Sequence, residues 1–506
     1  METHLTPTVW ESFRYRARSF PQRPAVVDET SFLTFAEAFD QAGRLAGTLM
    51  KEGIVPGTPV ALGLQNSPVF IPAFLALARI PVTVILLSPR YGSSELRTLA
   101  DRLRIRAVLA MPVRATEIQE ALGDCDLPRP LALDRSMHGL TLLMRTPGLN
   151  GRISISPEQE ALLSKSALIK TTSGSTGEPK SVAIEAEAVL TEAENVARSL
   201  SLGPGHKVLA PVPLTHSYGF DLGVLATLFS GATLEVVETF VPRGTLRKLA
   251  GRGTTVFLGV PSMYQLLLDG QKGNATSLAH IPYLLSCTAP LPVRTIHAFH
   301  DAFGASICQH YGSSETGAIA THVPSSVMAK PESAGRPIDN VTVSIADESG
   351  NGLPCGNEGE LIVRSGATAS GYVTGAPARN PFDGEWYRTG DRGTMDEEGF
   401  LFLTGRLDDM INVGGLKVSP QEVVRVLESL PQVREAAVIG RADPSAGQVV
   451  YAAVTLNNPA TEEDLIRACT ERLADYKVPR RIEIRTELPR GPSGKIRFRQ
   501  EDIRLA

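Results

Sequence analysis

The sequence predicts an α/β protein with a large N-terminal domain of layered α/β subdomains, a small β region and a small α+β domain at its C-terminal end. Three observations lead to this prediction. The chain has 506 residues, more than one hydrophobic core usually supports. Short apolar runs alternate with segments of helical period from about Val60 onward. The pattern then changes near Asn340 and again after the GRLDDMI segment at 405–411.

The α/β part is recognised from two kinds of segment. Leu96, Leu99 and Leu103 are spaced three and four apart, as on the buried face of a helix, and a further helical stretch follows Gly219. Short apolar runs between helices are typical of buried strands in largely parallel sheets. The predicted strands of this part are 60–64, 82–87, 107–110, 208–212, 234–237 and 254–258.

The last third of the chain predicts different structure. Alternating residues at 341–346, a turn and a second run at 359–365 indicate a β-hairpin. Two helices are then expected to begin with capping boxes, Ser419 with Glu422 and Thr461 with Asp464. Pro420 at the first helical position strengthens the first of them. Strands are predicted at 433–440, 448–456 and 480–485.

Composition excludes several classes of protein. A net charge of -4, from 50 basic and 54 acidic residues, gives no field that favours nucleic acid. The five cysteines are scattered and lack metal-ligand spacing, which fits a reducing cytoplasm. The first residues lack the basic start and apolar block of a secretory signal. The apolar segment 71–87 is shorter than the ~20 residues of a membrane span, so a buried helix and strand are expected there.

A segment rich in hydroxyls and glycine, with one lysine, follows the apolar run 167–169. Glycines let the backbone approach phosphate oxygens, hydroxyls donate hydrogen bonds and the lysine neutralises charge. Pro179 precedes Lys180, so the segment is not a Walker A loop, and a plain surface turn is the alternative. The predicted phosphate-binding residues are Thr171, Thr172, Ser173, Gly174, Ser175, Thr176, Gly177 and Lys180.

A second segment, YGSSETG at 311–317, combines an aromatic ring, hydroxyls and a carboxylate in one short stretch. An aromatic ring can stack on a base, and a carboxylate can bind magnesium. Together with the first segment and four more, it forms an ordered series over nearly the whole chain. The six segments are TTSGSTGEPK (171–180), PLTHSYGF (213–220), YGSSETG (311–317), YRTGD (387–391), GRLDDMI (405–411) and PSGKI (492–496).

In this order the six segments resemble the adenylate-forming superfamily of acyl- and aryl-CoA ligases, peptide-synthetase adenylation domains and luciferases. The resemblance is strongest to the aryl- and acyl-CoA ligases. It implies an N-terminal domain over 1–405 that binds ATP and an acid, and a mobile C-terminal lid over 406–506. The hinge between them is expected near Asp408, with the active site between the two domains.

The resemblance implies an ATP site with a magnesium ion. Tyr311 matches the aromatic residue that stacks on adenine. Ser314 matches the α-phosphate ligand, and Glu315 matches the magnesium ligand. Asp391 and Arg406 match the contacts to the ribose hydroxyls. Gly312 is assigned to both the ATP site and the acid pocket.

The implied reaction joins a carboxylic acid to AMP and then to coenzyme A as a thioester. Lys495 matches the lysine that bridges the substrate carboxylate and the α-phosphate. Carboxylate attack on the α-phosphate brings two anions together, and lysine and magnesium offset the repulsion. His216 matches the gate between acid pocket and thiol channel, and a general-base role is less favoured. The predicted catalytic residues are Lys495, Glu315 and His216.

The acid pocket departs from the family's pattern. Relatives often have a Ser-Gly-Gly-Ala stretch where this chain has 286–290, SCTAP, so side chains replace hydrogens and predict a narrow, flat pocket. Such a pocket favours an aryl acid such as benzoate or anthranilate. Asp221 leaves two alternatives: it holds an amino group of the substrate, or it is a helix-terminal charge. The predicted pocket residues are His216, Ser217, Tyr218, Asp221, Cys287, Thr288, Ala289 and Gly312.

The thiol acceptor is predicted from the segment after the hinge. Gly414, Gly415, Leu416 and Lys417 match the lining of the family's pantetheine channel. Free coenzyme A is the expected acceptor, and the pantetheine arm of an acyl carrier protein is the alternative. A non-catalytic ATP- or AMP-binding protein is a remote alternative, because Lys495 and the other catalytic residue types are retained. A homodimer is compatible with the sequence.

Overall fold

A computed structural model of the chain describes residues 8–89, 91–123, 125–126, 128–131, 139–145, 155–172, 180–271, 276–377, 379–407, 409–414, 416–443, 447–490 and 496–503. The helices within this part are α1 (Val9–Ser19), α2 (Phe35–Lys51), α3 (Phe70–Arg79), α4 (Ser93–Arg102), α5 (Pro112–Leu122), α6 (Pro157–Lys165), α7 (Ala186–Ser199), α8 (Ala226–Ser230), α9 (Pro242–Ala250), α10 (Pro261–Gly270), α11 (Val293–Phe303), α12 (Pro420–Glu428) and α13 (Glu462–Thr470). A π-helix (Gly219–Leu225) precedes α8, and short 3-10 helices lie at Pro324–Ser326, Asp475–Lys477 and Gln500–Asp502.

The strands of the described part are β1 (Pro24–Val27), β2 (Phe32–Thr34), β3 (Pro59–Gly63), β4 (Thr83–Leu86), β5 (Ala107–Ala110), β6 (Arg129–Leu131), β7 (Leu140–Met144), β8 (Leu168–Thr172), β9 (Lys180–Ile184), β10 (Lys207–Ala210), β11 (Thr233–Val236), β12 (Val256–Gly259), β13 (Tyr283–Ser286), β14 (Ile307–Ser313), β15 (Gly317–Thr321), β16 (Arg336–Pro337), β17 (Val341–Ala346), β18 (Gly359–Ser365), β19 (Gly371–Thr374), β20 (Phe382–Asp383), β21 (Trp386–Met395), β22 (Leu401–Arg406), β23 (Ile411–Val413), β24 (Leu416–Val418), β25 (Val433–Asp443), β26 (Gly447–Leu456) and β27 (Arg481–Arg485).

Two large sheets form the layered α/β part. The first has the strand order β16-β15-β14-β13-β12-β10-β11-β1-β2, and it is parallel from β14 to β1. The second has the order β19-β9-β8-β4-β3-β5-β7-β6, and it is parallel from β8 to β5. The predicted strands and the helix on Leu96 and Leu99 are confirmed. Strands β8, β10, β13 and β14 lead at their carboxyl ends into the predicted site segments, where open α/β sheets usually bind ligands.

A third, antiparallel sheet follows with the order β17-β18-β21-β20, and β22 pairs with β21. The predicted hairpin is present as β17 and β18, paired from Val341 opposite Ser365. In the β21–β22 ladder, Asp391 lies directly opposite Arg406. Cross-strand neighbours of this kind lie close enough for their side chains to interact. The sheet therefore brings the two predicted ribose contacts together.

The C-terminal region has its own core. Its sheet has the order β24-β23-β26-β25 with β27 beside β26, and α12 and α13 cover it. The buried apolar residues of this core lie between Ile411 and Ile482, whereas those of the large domain end at Leu401. Two separate cores agree with a large and a small domain. The boundary at 405/406 and the hinge remain predictions, since Asp408 lies outside the described residues.

One arginine of the large domain contacts the end of a helix in the small domain. Arg294, on α11, donates from Nη1 to the carbonyl oxygens of Glu428 and Val433, each at 2.5 Å. Nη1 is also 3.5 Å from the Leu430 carbonyl oxygen, and Nη2 donates to that of Arg434. The last carbonyls of α12 have no partners within their own helix, so this guanidinium caps the helix from the other domain.

The predicted capping box at Ser419 is wrong, although α12 does begin at Pro420. The Ser419 hydroxyl makes no cap hydrogen bond. It donates instead to the carbonyl oxygen of Thr404, at 2.8 Å. Glu422 forms an ion pair with Lys477, at 2.7 Å. Ser419 and Glu422 therefore make tertiary contacts, to β22 and to the 3-10 helix Asp475–Lys477, in place of the local cap. The second box, Thr461 with Asp464, is confirmed.

The apolar segment 71–87 forms α3 followed by β4, as predicted. Eight residues of α3 are buried in the large core, and every residue of β4 is buried. Among the helices of the described residues, none has the length and apolar character needed to cross a bilayer.

Candidate active site

Asp391 is the centre of a group of three predicted ATP-binding residues. The Tyr311 hydroxyl donates to Asp391 Oδ2 at 2.5 Å, and Arg406 Nη1 lies 3.2 Å from Oδ1. Burial, helped by the Asp391 charge, raises the pKa of Tyr311 well above 10, so this hydroxyl remains a donor. The Thr389 hydroxyl accepts from the Asp391 amide at 3.0 Å and fixes the turn of the backbone. The sequence prediction that these residues share one site is therefore supported by their contacts.

Glu315 is held by tyrosines from two other strands. The Tyr372 hydroxyl donates to Glu315 Oε1 at 2.8 Å and lies 2.9 Å from the Tyr387 hydroxyl. The Glu315 carbonyl oxygen accepts from the Ala369 amide at 2.7 Å. Burial raises the pKa of Tyr387, and the Glu315 charge adds to this effect. Sequence reasoning missed Tyr372, which carries no motif of its own. Its short, fully buried strand gave no sign that its hydroxyl would reach Glu315.

The gate segment contacts the turn that carries Glu315. The hydroxyls of Ser217 and Ser314 are 2.7 Å apart, although the residues are separated by 97 positions. His216 is partly buried beside Ser217 in the sequence. At Gly312 a Cβ atom would lie 2.5 Å from the Gly317 carbonyl oxygen, so only glycine allows the close approach of β14 and β15. The predicted gate and phosphate-contact residues are thus adjacent in the fold.

The phosphate segment is described only at its two ends. The Thr171 hydroxyl accepts from Tyr91 at 3.0 Å and donates to the Leu86 carbonyl oxygen at 2.7 Å, so it is engaged within the fold. The backbone of Thr172 pairs with that of Lys180 in the β8–β9 ladder. The predicted residues between them, Ser173, Gly174, Ser175, Thr176 and Gly177, lie outside the described residues.

The predicted acid pocket contains a buried aromatic ring and a strained backbone. Tyr218 stacks on His310 with ring centroids 5.8 Å apart, and its hydroxyl donates to the Leu285 carbonyl oxygen at 3.2 Å. Cys287 is partly buried and Ala289 is exposed. Thr288 has φ +77°, a left-handed conformation that is costly for a β-branched residue. The side chain thus occupies a backbone position that glycine would adopt without strain.

Asp221 lies in neither of the two positions that the sequence left open. Its Oδ2 atom is 2.6 Å from Lys170 Nζ, and both side chains are about 5% exposed or less. The π-helix turns this side chain inward, towards β8, so it is not a charge at a helix end facing solvent. Its carboxylate is already paired with a lysine, so its assignment to the acid pocket as an ammonium ligand is corrected. Lys170 was not predicted, because its partner lies 51 residues away in the sequence.

The residues predicted for the thiol channel lie on the β23–β24 hairpin of the small domain. Gly414 adopts φ +57° at its turn, and Leu416 and Lys417 are exposed. Gly415 and Lys495 lie outside the described residues, so the channel and the catalytic lysine remain predictions.

Comparisons with known proteins agree with this geometry. The family model described as AMP-binding enzyme matches residues 13–373, and its C-terminal domain model matches residues 422–495. The chain belongs to the AMP-binding enzyme family. This AMP-binding enzyme is 30% identical over 499 residues to the oxalate–CoA ligase of Arabidopsis thaliana, with 96% of each chain covered. It is 31% identical over 489 residues to a feruloyl-CoA synthase of Amycolatopsis sp, with 95% of this chain and 96% of the relative covered.

Among solved structures, the enzyme resembles the o-succinylbenzoate CoA synthetase (MenE) of Bacillus subtilis in complex with the acyl-adenylate intermediate OSB-AMP. The TM-score is 0.82 at 26% identity, and 99% of each chain is covered. The predicted resemblance and the fold class, with a large N-terminal and a small C-terminal domain, are confirmed. The predicted enzyme class, an AMP-forming acid–thiol ligase that uses ATP, Mg²⁺ and coenzyme A, is also confirmed.

Proposed function

We propose that this AMP-binding enzyme activates an aryl acid as its acyl-adenylate and transfers the acyl group to coenzyme A. In the first step a carboxylate oxygen attacks the α-phosphorus, and pyrophosphate leaves. In the second the thiol sulfur attacks the acyl carbonyl, AMP leaves and the thiol proton is released. The observation that carries the proposal is the group formed by Asp391, Tyr311 and Arg406, in which Tyr311 lies on β14 shortly before Ser314 and Glu315 in the turn that follows this strand.

The described residues fit a nucleotide with its metal ion. Asp391 presents two carboxylate oxygens, oriented by Tyr311 and Arg406, which suits the two hydroxyls of a ribose. The hydroxyls of Ser314 and Ser217 lie 2.7 Å apart and can donate to the α-phosphate and to the acid. Glu315 is a carboxylate oriented by Tyr372, as a magnesium ligand requires. Magnesium bound at Glu315 would offset the phosphate charge during attack.

The preference for an aryl acid is supported by the pocket segment. Side chains at Cys287 and Thr288 narrow the space that glycines would leave open, and the Tyr218 ring is held in place by His310 and the Leu285 carbonyl. Flat acids fit such a space better than long acyl chains. Because Asp221 is paired with Lys170, an anionic partner for a substrate ammonium is missing at this residue. A neutral aryl amine such as anthranilate needs none.

The small domain is proposed to be a lid over residues 406–506 that turns near Asp408. Its separate core and the short connection after β22 support this proposal. In one orientation Lys495 would reach the acid and the α-phosphate, and in the other the segment 414–417 would admit the thiol. The pantetheine arm of a carrier protein is the alternative acceptor, and a homodimer and a cytoplasmic location are further proposals. None of the five cysteines is in a disulfide with another described residue, which supports a reducing compartment.

Mass spectrometry tests the proposed function directly. The purified enzyme is incubated with ATP, Mg²⁺ and benzoate, anthranilate, ferulate, oxalate or a β-amino acid, with and without coenzyme A. We expect an aryl-adenylate that is converted to aryl-CoA when coenzyme A is added. An adenylate formed only from oxalate or the β-amino acid would contradict the aryl preference, and an adenylate that persists with coenzyme A would favour a carrier protein. Asp391→Asn is the matched control and should form at least tenfold less adenylate.

A further inference from the structure

Behind the active site, three charged residues meet in the interior of the large domain. Lys170 Nζ and Asp221 Oδ2 are 2.6 Å apart, and Glu192, on α7, is 3% exposed. All three line one small cavity of about 10 Å³, roughly the space of one water molecule. The other residues that line it are apolar or glycine: Leu168, Ile184, Ala188, Val189, Leu225, Gly317 and Ala367. Among the described residues that line this cavity, only these three can carry a charge.

In the cluster of Lys170, Asp221 and Glu192, two carboxylate oxygens of the described structure accept no hydrogen bond. Glu192 Oε1 accepts from the Ala318 amide at 2.8 Å, and Asp221 Oδ2 accepts from Lys170. In the described part of the chain, Glu192 Oε2 and Asp221 Oδ1 are buried without a hydrogen-bond partner. Two carboxylates and one lysine in an apolar cavity cannot all be charged without an uncompensated anion. One proton, carried by Glu192 and offered to Asp221 directly or through one water, satisfies both oxygens.

The protonation of Glu192 agrees with its surroundings. Burial, and next the Asp221 charge, raise the pKa of Glu192 from 4.5 to about 8, against the opposing effect of Lys170. Burial also raises the pKa of Asp221, but the Lys170 ammonium 2.6 Å away opposes this effect, so the proton resides on Glu192 and Asp221 is the anion paired with Lys170. The cluster then has no net charge.

Each member of the cluster stands beside a segment of the active site. Lys170 immediately precedes Thr171, where the phosphate segment begins. Asp221 lies five residues after His216, on the π-helix that follows the gate. Glu192 contacts the end of the turn that carries Glu315. At Gly317, which has φ +71°, a Cβ atom would lie 2.1 Å from Glu192 Oε2. The three segments come from different parts of the chain, and this cluster connects all three.

We propose that Lys170, Asp221 and Glu192 are positioning residues for adenylate formation, which hold the phosphate segment, the gate helix and the Glu315 turn together around one shared proton. This inference rests on the proposed function, because the three segments are those assigned to ATP and the acid. When Glu192 loses its proton, an unpaired anion remains in the cavity. The carboxylates then repel each other, and the segments they hold move apart.

The test measures adenylate formation alone, by ATP–pyrophosphate exchange between pH 6 and 9.5 without coenzyme A. With a proton lost at about pH 8, exchange by the wild-type enzyme should be about tenfold lower at pH 9 than at pH 7. Glu192→Gln keeps the shape, the acceptor for Ala318 and a donor towards Asp221, and it cannot ionise. It should equal the wild type at pH 7 within twofold and lack the alkaline decline.

Two further variants complete the test. Glu187→Gln changes an exposed carboxylate on the same helix and should retain the wild-type decline. Asp221→Asn removes one of the two carboxylates, so Glu192 ionises as the partner of Lys170, no repulsion between carboxylates arises at high pH, and the alkaline decline disappears. Equal pH profiles for wild type and Glu192→Gln would overturn the proposal, whereas absence of exchange in the wild type would instead overturn the proposed function.

Discussion

The buried carboxyl of Glu192 makes a quantitative prediction about stability. Its pKa is raised from 4.5 to about 8 in the folded enzyme, so the folded state binds this proton more tightly than the unfolded state. The contribution of this bound proton to the free energy of unfolding is complete below pH 4.5 and is lost as the pH rises through 8. Between these limits the free energy of unfolding falls by about 1.4 kcal/mol per pH unit because of this one group. Glu192→Gln cannot ionise and lacks this loss.

The assay is urea unfolding followed by tryptophan fluorescence at pH 5.5, 7 and 8. Both tryptophans, Trp10 and Trp386, lie before residue 406, so the signal reports the large domain. The stability of the wild type minus that of Glu192→Gln should fall by about 3 kcal/mol between pH 5.5 and pH 8. Taking the difference removes groups that titrate in both proteins. A stability difference that stays constant with pH would refute the reasoning, since the pKa of Glu192 would then be the same in the folded and unfolded states.

Three further predictions concern other contacts. Tyr372→Phe removes a hydrogen bond to the Glu315 carboxylate, so it should lower adenylate formation about tenfold and raise the Mg²⁺ concentration that the enzyme requires. ATP–pyrophosphate exchange over a magnesium titration measures both effects, and an unchanged Mg²⁺ dependence would contradict the prediction. Thr288→Gly should be about 1 kcal/mol more stable than Thr288→Ala in urea, because alanine retains the left-handed strain, and equal stabilities would contradict this. The hydrogen bonds from Arg294 to α12 fix one orientation of the small domain, so Arg294→Ala should change the ratio of thioester to adenylate formation severalfold. Single-turnover measurements with Arg294→Lys as the control test this, and an unchanged ratio would exclude such a role.

Local sequence signals predicted the elements of the fold well. The apolar runs at 60–64 and 107–110 became β3 and β5, because burial on both faces of a parallel sheet leaves a continuous apolar run. Thr461 and Asp464 formed their cap, since both partners lie within one helical turn. Ser419 did not, because the carbonyl of Thr404 offered its hydroxyl another acceptor. Only the folded chain reveals such competition.

The site could be predicted as far as the contacts of Asp391 with Tyr311 and Arg406, and the roles of these residues remain predictions. It could not be predicted where function depends on a pair distant in sequence. Asp221 was considered as a substrate contact because its partner could not be recognised in the sequence. That partner, Lys170, lies in an apolar strand where nothing indicates why a lysine is present. Tyr372 lies 57 residues from Glu315 and has no motif of its own. In both cases a buried polar group needs a partner, and sequence does not show which one it finds.

The ladder between β21 and β22 has a mechanical consequence. Arg406 ends β22 opposite Asp391 and stands two residues before the proposed hinge at Asp408. In a rotation, displacement grows with distance from the axis, so groups beside the hinge barely move while remote groups sweep a long arc. The proposed ribose contacts stand beside the proposed hinge. A rotation of the small domain about Asp408 would therefore leave these contacts almost in place while the more distant parts of that domain move.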